Sequence, residues 1–227
     1  MKYDNIKKAI FKSRPNRFIA ICEVDGKEEV CHVKNTGRCR ELLIEGVTVY
    51  LEESKNPQRK TKYDLVSVDK NGELFNIDSQ APNKVVYEWL ENGGLFKNIS
   101  LIKPEYKYES SRFDFYVEYS GKRAFIEVKG VTLEEDGVLL FPDAPTQRGV
   151  KHINELISSL DMGYEAYIIF VVQTKKAKYF TPNAKTHKEF CDALKKAQKS
   201  GVKILCFSCK TQPDFLEIEK SVPVMIY

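Results

Sequence analysis

Long apolar runs are missing from this 227-residue sequence. The longest, Ala166 to Val172, is seven residues, against the ~20 that a membrane-spanning helix needs, so no membrane role is expected. Met1 to Arg17 is polar and basic and lacks the apolar stretch of a secretory signal. A cytoplasmic protein is therefore expected, with its six cysteines as free thiols. No charge of one sign dominates: 36 Lys and Arg face 32 Asp and Glu, a net +4, which permits a nucleic-acid partner without requiring one. There is no Walker loop and no G-x-G-x-x-G, so no nucleotide cofactor is expected. Histidine is scarce, three in all, and Cys206-Phe-Ser-Cys209 is a lone C-x-x-C, which gives a zinc site no second pair. Repeats and low-complexity linkers are absent too. What remains is an ordinary folded chain, 42% hydrophobic and 30% charged, with room for one large domain or two small ones.

The pattern changes style near Ala81. Before it, short strands alternate with turn signals: Asn16–Val24 meets Asp25-Gly26 and returns as Glu28–Val33, a hairpin. Gly46–Leu51 alternates apolar and polar residues, and Tyr63–Val68 and Glu73–Ile77 flank Asn71-Gly72. Five short strands in this stretch predict a small barrel, OB-like or SH3-like. After Ala81 the spacing predicts a helix from Pro82-Asn83 to Glu91 and a hairpin, Arg112–Tyr119 with Lys122–Lys129. A strand at Gly137–Phe141 and a helix over Thr146–Leu160 follow. Tyr164–Val172 is nearly all apolar, as a strand covered on both faces should be. A helix ending at Gly201 and a strand over Val202–Phe207 complete an α/β domain on a mixed sheet. The expected domains are 1–80 and 81–227.

The informative stretch is Arg112 to Lys129. With Ser120-Gly121 as a two-residue turn, Tyr119 faces Lys122 and Asp114 faces Glu127. Directly opposed like charges destabilise a sheet, and a divalent cation is a usual remedy. Lys129 projects from the same face as Glu127, because side chains alternate along a strand. Two carboxylates and an ammonium suit phosphodiester hydrolysis, with Mg²⁺ or Mn²⁺ on Asp114 and Glu127 and the lysine beside the attacking water. Glu88 on the preceding helix is the candidate third ligand. The triplet of an acid, any residue and Lys occurs four times, at Asp25, Glu53, Glu105 and Glu127. Only Asp114 and Glu127, set among apolar neighbours, stand out, and an exposed, salt-bridged sheet face is the competing reading. Arg148 and His152, one helical turn apart, are placed to share one phosphate. Basic loops carrying Arg38, Arg40, Arg59 and Lys60 connect barrel strands, and Tyr50 and Tyr63 are candidates for base stacking. Solubilising loops and core tyrosines are the plainer alternative. Arg112 joins the nucleic-acid set.

The sequence resembles the sugar fermentation stimulation protein A family. The segments that carry the resemblance are Asn35-Thr-Gly-Arg38, Asn56-Pro-Gln-Arg-Lys60, Ser111-Arg-Phe-Asp114 and Glu127-Val-Lys-Gly-Val-Thr132. Further on come Leu140-Phe-Pro-Asp-Ala144, Arg148-Gly-Val-Lys-His152 and Phe170-Val-Val-Gln173. The resemblance implies an N-terminal OB-like barrel and a C-terminal mixed-sheet α/β domain of the PD-(D/E)xK nuclease type. Asp114, Glu127 and Lys129 would be that type's acidic pair and lysine, with Phe113 standing where the motif's name has proline. Glu88 would be the first-helix glutamate, and Gln147, Arg148 and His152 the helix residues serving the site. The implied function is nucleic-acid binding, to DNA, with a metal-dependent nuclease centre. The alternative is a non-catalytic DNA-binding regulator of sugar-utilisation genes on the same scaffold.

Overall fold

Turn chemistry sets the hairpins. Asp25-Gly26, Asn71-Gly72 and Ser120-Gly121 all hold positive φ at both positions, from 47° to 79°. That is the pairing a two-residue turn needs to match strand twist. The structure, a computed structural model, describes residues 1–35 and 37–227. Thr36, inside one of the family-like segments, lies outside them.

The first sheet contains β1 (Ile6–Asn16), β2 (Ile19–Val24), β3 (Lys27–Val33), β4 (Thr48–Glu53), β5 (Tyr63–Lys70) and β6 (Glu73–Asn76). Their order is β3-β2-β1-β4-β5-β6, and parallel pairing of β3 with β5 closes the first five into a barrel. The cycle β1-β2-β3-β5-β4 is the OB-like alternative, which decides against the SH3-like one. Ala20, Cys22, Leu51 and Leu65 fill its interior with no exposure. β1 is not anticipated by the sequence pattern. Among Ile6–Asn16 only Ala9 and Phe11 are buried, so basic residues mask its period of two. β6, read from the sequence as one of five barrel strands, lies outside the closure.

The second large sheet runs β15-β14-β12-β9-β8-β7. Here β7 is Ile99–Tyr108, β8 Ser111–Tyr119, β9 Lys122–Val131, β12 Glu165–Val172, β14 Lys203–Gln212 and β15 Phe215–Ser221. β12 runs parallel to both β9 and β14, while the outer strands are antiparallel. Both faces are covered. Ile168, Phe170 and Val172 pack towards α2 (Gln147–Asp161) and α3 (Lys188–Ser200). Ile169 and Val171 pack towards α1 (Ala81–Glu91). Thr146 caps α2, its hydroxyl accepting from the Gly149 N–H at 3.0 Å. β7 also escapes the sequence pattern: Pro104 interrupts it, and such a proline is tolerated at an edge, which is where β7 lies. β10 (Leu133–Glu135), β11 (Val138–Phe141) and β13 (Tyr179–Pro182) form a small third sheet.

The chain's first residues cross to this α/β layer. Lys2 bridges Phe215, the Tyr3 N–H donates to the Asp214 carbonyl at 2.8 Å, and Met1 and Tyr3 are buried in the α1-side core. Among the described residues no helix is long and apolar enough to cross a membrane. The six cysteines are free and buried.

Candidate metal and nucleic-acid site

Glu127 enters the α2 side of the sheet because β9 alternates. Phe125 packs with α2 and α3, Ile126 and Val128 with α1, so Glu127 and Lys129 point back towards α2. The β8–β9 ladder runs from Tyr119–Lys122 to Phe115–Ile126 and ends there. Asp114 and Glu127 are thus one pair beyond its last rung. The alternation of β8 breaks at this point, since Phe113 and Phe115 lie in opposite cores. The Asp114 carboxylate takes over the ladder's role: Oδ2 accepts from the Val128 N–H at 2.7 Å, and Oδ1 from the Asn83 amide at 2.8 Å.

Glu127 is 2% exposed. Its Oε1 accepts from His152 Nδ1 at 2.6 Å and from the Lys129 ammonium, while Oε2 has no partner. Burial pushes the Asp114 carboxyl up to about 6, and the charge of Glu127 adds to the effect. Burial pushes on Glu127 as well, but Lys129 and His152 outweigh it and hold that carboxyl below the usual range. The Arg148 Nε–H donates to His152 Nε2 at 3.3 Å. That bond makes Nε2 an acceptor, so the ring proton is on Nδ1 and points at Glu127.

The structure therefore brings Asp114, Glu127, Lys129, His152 and Arg148 together. His152 itself is 4% exposed, which makes it a support for Glu127 and removes it from direct phosphate contact. Glu88 lines a cleft with Asn83 and Asp114 on the α1 side, its side chain 51% exposed and its Oε2 2.7 Å from the N-terminal ammonium. Asn83, more than a turn earlier on the same helix, takes the place beside Asp114 instead. From the sequence Asn83 reads as part of a helix cap, yet Gln80 holds the N-cap position. Only the docking of α1 reveals the asparagine's role. Gln147 lines a cleft beside Arg148 and donates to Glu189 at 2.9 Å. Among the described residues, no three His, Cys, Asp or Glu side chains gather closely enough to hold a metal ion by themselves.

Two basic clefts lie on the surface. One, of about 880 Å³, is lined by Lys107, Arg112, Arg148 and Lys151 beside His152. The other, of about 320 Å³, lies on the barrel between Arg14, Arg17, Arg38 and Arg40. Arg14 builds that cleft by donating to the carbonyls of Arg17, Asn35, Gly37 and Arg38 at 2.6–2.8 Å. Neither Arg14 nor Arg17 stands out in the sequence. Arg59 is withdrawn from the surface set, since its guanidinium forks onto Asp64 at 2.6 and 2.8 Å. Lys60 is exposed. Tyr63 is 4% exposed and offers no stacking face, while Tyr50 is half-buried against the α1-side core. Phe18 does, 45% exposed with the Arg17 guanidinium 4.8 Å from its ring centroid.

Family models match both halves of the chain. The one described as SfsA N-terminal OB domain covers residues 13–77, and the one described as Sugar fermentation stimulation protein RE domain covers 80–215. The chain belongs to the sugar fermentation stimulation protein family. A family homologue from Ruminiclostridium cellulolyticum is 59% identical over 226 residues, covering 100% of both chains. One from Clostridium beijerinckii is 56% identical over the same length and coverage. Among solved structures, Pyrococcus furiosus SfsA in complex with Ca²⁺ is 28% identical, with a TM-score of 0.90 over 100% of this chain and 98% of that one. The family's fold, an OB-like barrel joined to a mixed-sheet α/β domain, is the fold described above.

Proposed function

We propose that this family member binds DNA and carries a Mg²⁺- or Mn²⁺-dependent phosphodiesterase centre at Asp114, Glu127 and Lys129. The observation that carries the reading is Glu127 Oε2, a buried carboxylate oxygen without a partner. Such an atom costs about 1–3 kcal/mol unless something satisfies it. A second carboxylate, Asp114, lies near enough for Glu127 to raise its pKa, so a hard cation fits this donor set. Asp114 and Glu127 would hold the ion, with waters and substrate phosphate completing its shell, as is usual for Mg²⁺. When bound, the ion supplies Lewis acidity and an acidified water. Asn83 and the Val128 N–H orient Asp114, while His152, fixed by Arg148, orients Glu127. Lys129 would meet the charge that develops on the attacked phosphate. The Ca²⁺ complex of the Pyrococcus furiosus relative supports a hard divalent ion in this fold. Residues 1–80 would grip the strand through Arg17, Arg38, Arg40 and Lys60, and residues 81–227 would carry the chemistry, with Arg112 and Arg148 on its flank.

Gel retardation and cleavage of DNA test this directly. With about four phosphate contacts, affinity should fall roughly 100-fold between 50 and 200 mM salt, and cleavage should require Mg²⁺ or Mn²⁺. No retardation at low salt removes the DNA reading. Retention without cleavage moves the assignment to a DNA-binding regulator of sugar-utilisation genes. The lack of a three-residue ligand cluster among the described residues favours that second reading.

His152 supplies a finer test. Residues that orient metal ligands cost about 10–100-fold in affinity when removed. His152→Gln is expected to weaken Mn²⁺ binding by that factor in a calorimetric titration. An unchanged titration would detach the histidine from the site.

A further inference from the structure

We infer that the seam between the barrel and the α/β domain receives a single guanine base of the bound strand; the inference rests on the DNA-binding reading above. A cavity of about 150 Å³ lies there, with Asn35, Gly37 and Ser79 on the barrel side and Gly130, Phe141 and Gln173 among the residues facing them. It is well below the roughly 300–1,000 Å³ of pockets for larger ligands, and suits one heterocycle. Gly130, on the strand that carries Glu127 and Lys129, is part of its lining.

The cavity's chemistry narrows the occupant. Gln173 donates its amide to Asn76 Oδ1 at 2.9 Å and to the Asp78 carbonyl at 3.0 Å. Those two acceptors fix the amide's orientation and turn Oε1 towards Gly130, where a Cβ would come within 2.7 Å of it. Asp143, which also lines the cavity, sets Oδ2 against Gly37, where a Cβ would come within 2.8 Å. Both glycines are thus pressed against acceptor oxygens. Among the described residues neither oxygen receives a hydrogen bond from the protein, that of Gln173 at a buried position and that of Asp143 at an exposed one, and no cationic side chain lines the cavity. Phosphate is excluded by charge. A planar group rich in donors is what such a lining takes, with Phe141 as its apolar wall. Guanine presents N1–H and N2–H side by side, donors for the acceptor oxygens that Asp143 and Gln173 supply. Adenine and cytosine offer one amino group beside an acceptor, and thymine a single N–H between two. Enzymes acting on nucleic acid read unstacked bases in this way, by their pairing edges.

The test uses the full chain in EDTA and three fluorescent single strands: all-thymine, thymine with one guanine, and thymine with one inosine, which lacks N2–H. The guanine strand should bind about tenfold more tightly than the all-thymine strand, the scale of one good bidentate contact. Inosine should fall between them. Asp143→Asn, nearly isosteric, should erase the difference while leaving the all-thymine affinity unchanged. Equal affinity of the native chain for all three strands overturns the guanine site and leaves DNA binding standing. Retention of the preference by Asp143→Asn also overturns it. No binding of any strand at low salt overturns both. Guanosine monophosphate separates the sources: saturable binding of the free nucleotide with no strand preference reassigns the occupant and overturns the strand site.

Discussion

Glu127→Gln is expected to lower metal-dependent DNA cleavage on the order of 10³-fold, the several kcal/mol that a bound cation contributes at a phosphoryl transition state. The substitution keeps the shape of the side chain, and its amide oxygen still accepts from His152 Nδ1. It places an amide nitrogen where Oε2 stands unpartnered, so the position that would take a cation presents donors instead. Mn²⁺ binding should vanish in calorimetry while DNA retardation in EDTA persists, because the basic clefts are untouched. Cleavage at the native rate would end the phosphodiesterase reading. The same pair sets a pH dependence. Asp114 has its pKa raised to about 6, so the folded chain without metal holds this proton more tightly than the unfolded chain does. Protons and cations compete for it below that value. Metal affinity and cleavage should therefore rise as pH climbs through about 6.

Asp64→Ala should cost about 3–5 kcal/mol of stability, the range for breaking a buried ion pair by removing one partner. The Asp64 side chain is 5% exposed and gathers Arg59, His32 at 2.9 Å and Lys34 at 3.2 Å. Without it these groups face one another on the barrel wall, and Lys34 keeps only the longer contacts to Glu52 and Asp78. Urea unfolding at pH 7 measures the loss. A difference below about 1 kcal/mol would place the cluster with ordinary surface pairs. The pH sign is definite. Burial pushes the carboxyl up, but Arg59, His32 and Lys34 together hold it well below the usual range. Its contribution is complete above the unfolded value of about 3.9 and is lost as pH falls below that. The gap between native chain and variant should accordingly close in acid.

The sequence made the β8–β9 hairpin legible because its signals are local. Ser120-Gly121 specifies the turn, the period of two sets the facing pairs, and charged residues among Phe113, Phe115, Ile126 and Val128 mark the odd positions. Other features are set by packing, which leaves no local trace. Asn83 reaches Asp114 only because α1 lies across the sheet. Arg59 looks like a surface hand in Asn56–Lys60 until Asp64 folds beneath it. His152 reads as a phosphate contact beside Arg148, yet in the packed structure it lies buried against Glu127. The barrel's closure by β3 and β5 is likewise invisible to periodicity, which reports faces and says nothing of neighbours.

The crossing of the first residues to β15 has a consequence for the order of events during synthesis. Phe215, the partner of Lys2, is synthesised 213 residues after it. At about 5–20 residues per second, the wait is roughly 10–40 s. The barrel strands, all translated within the first third of the chain, have that interval to close on their own. The strap is fastened afterwards, when β15 arrives, so the union of the two halves is a later step than the closure of the barrel.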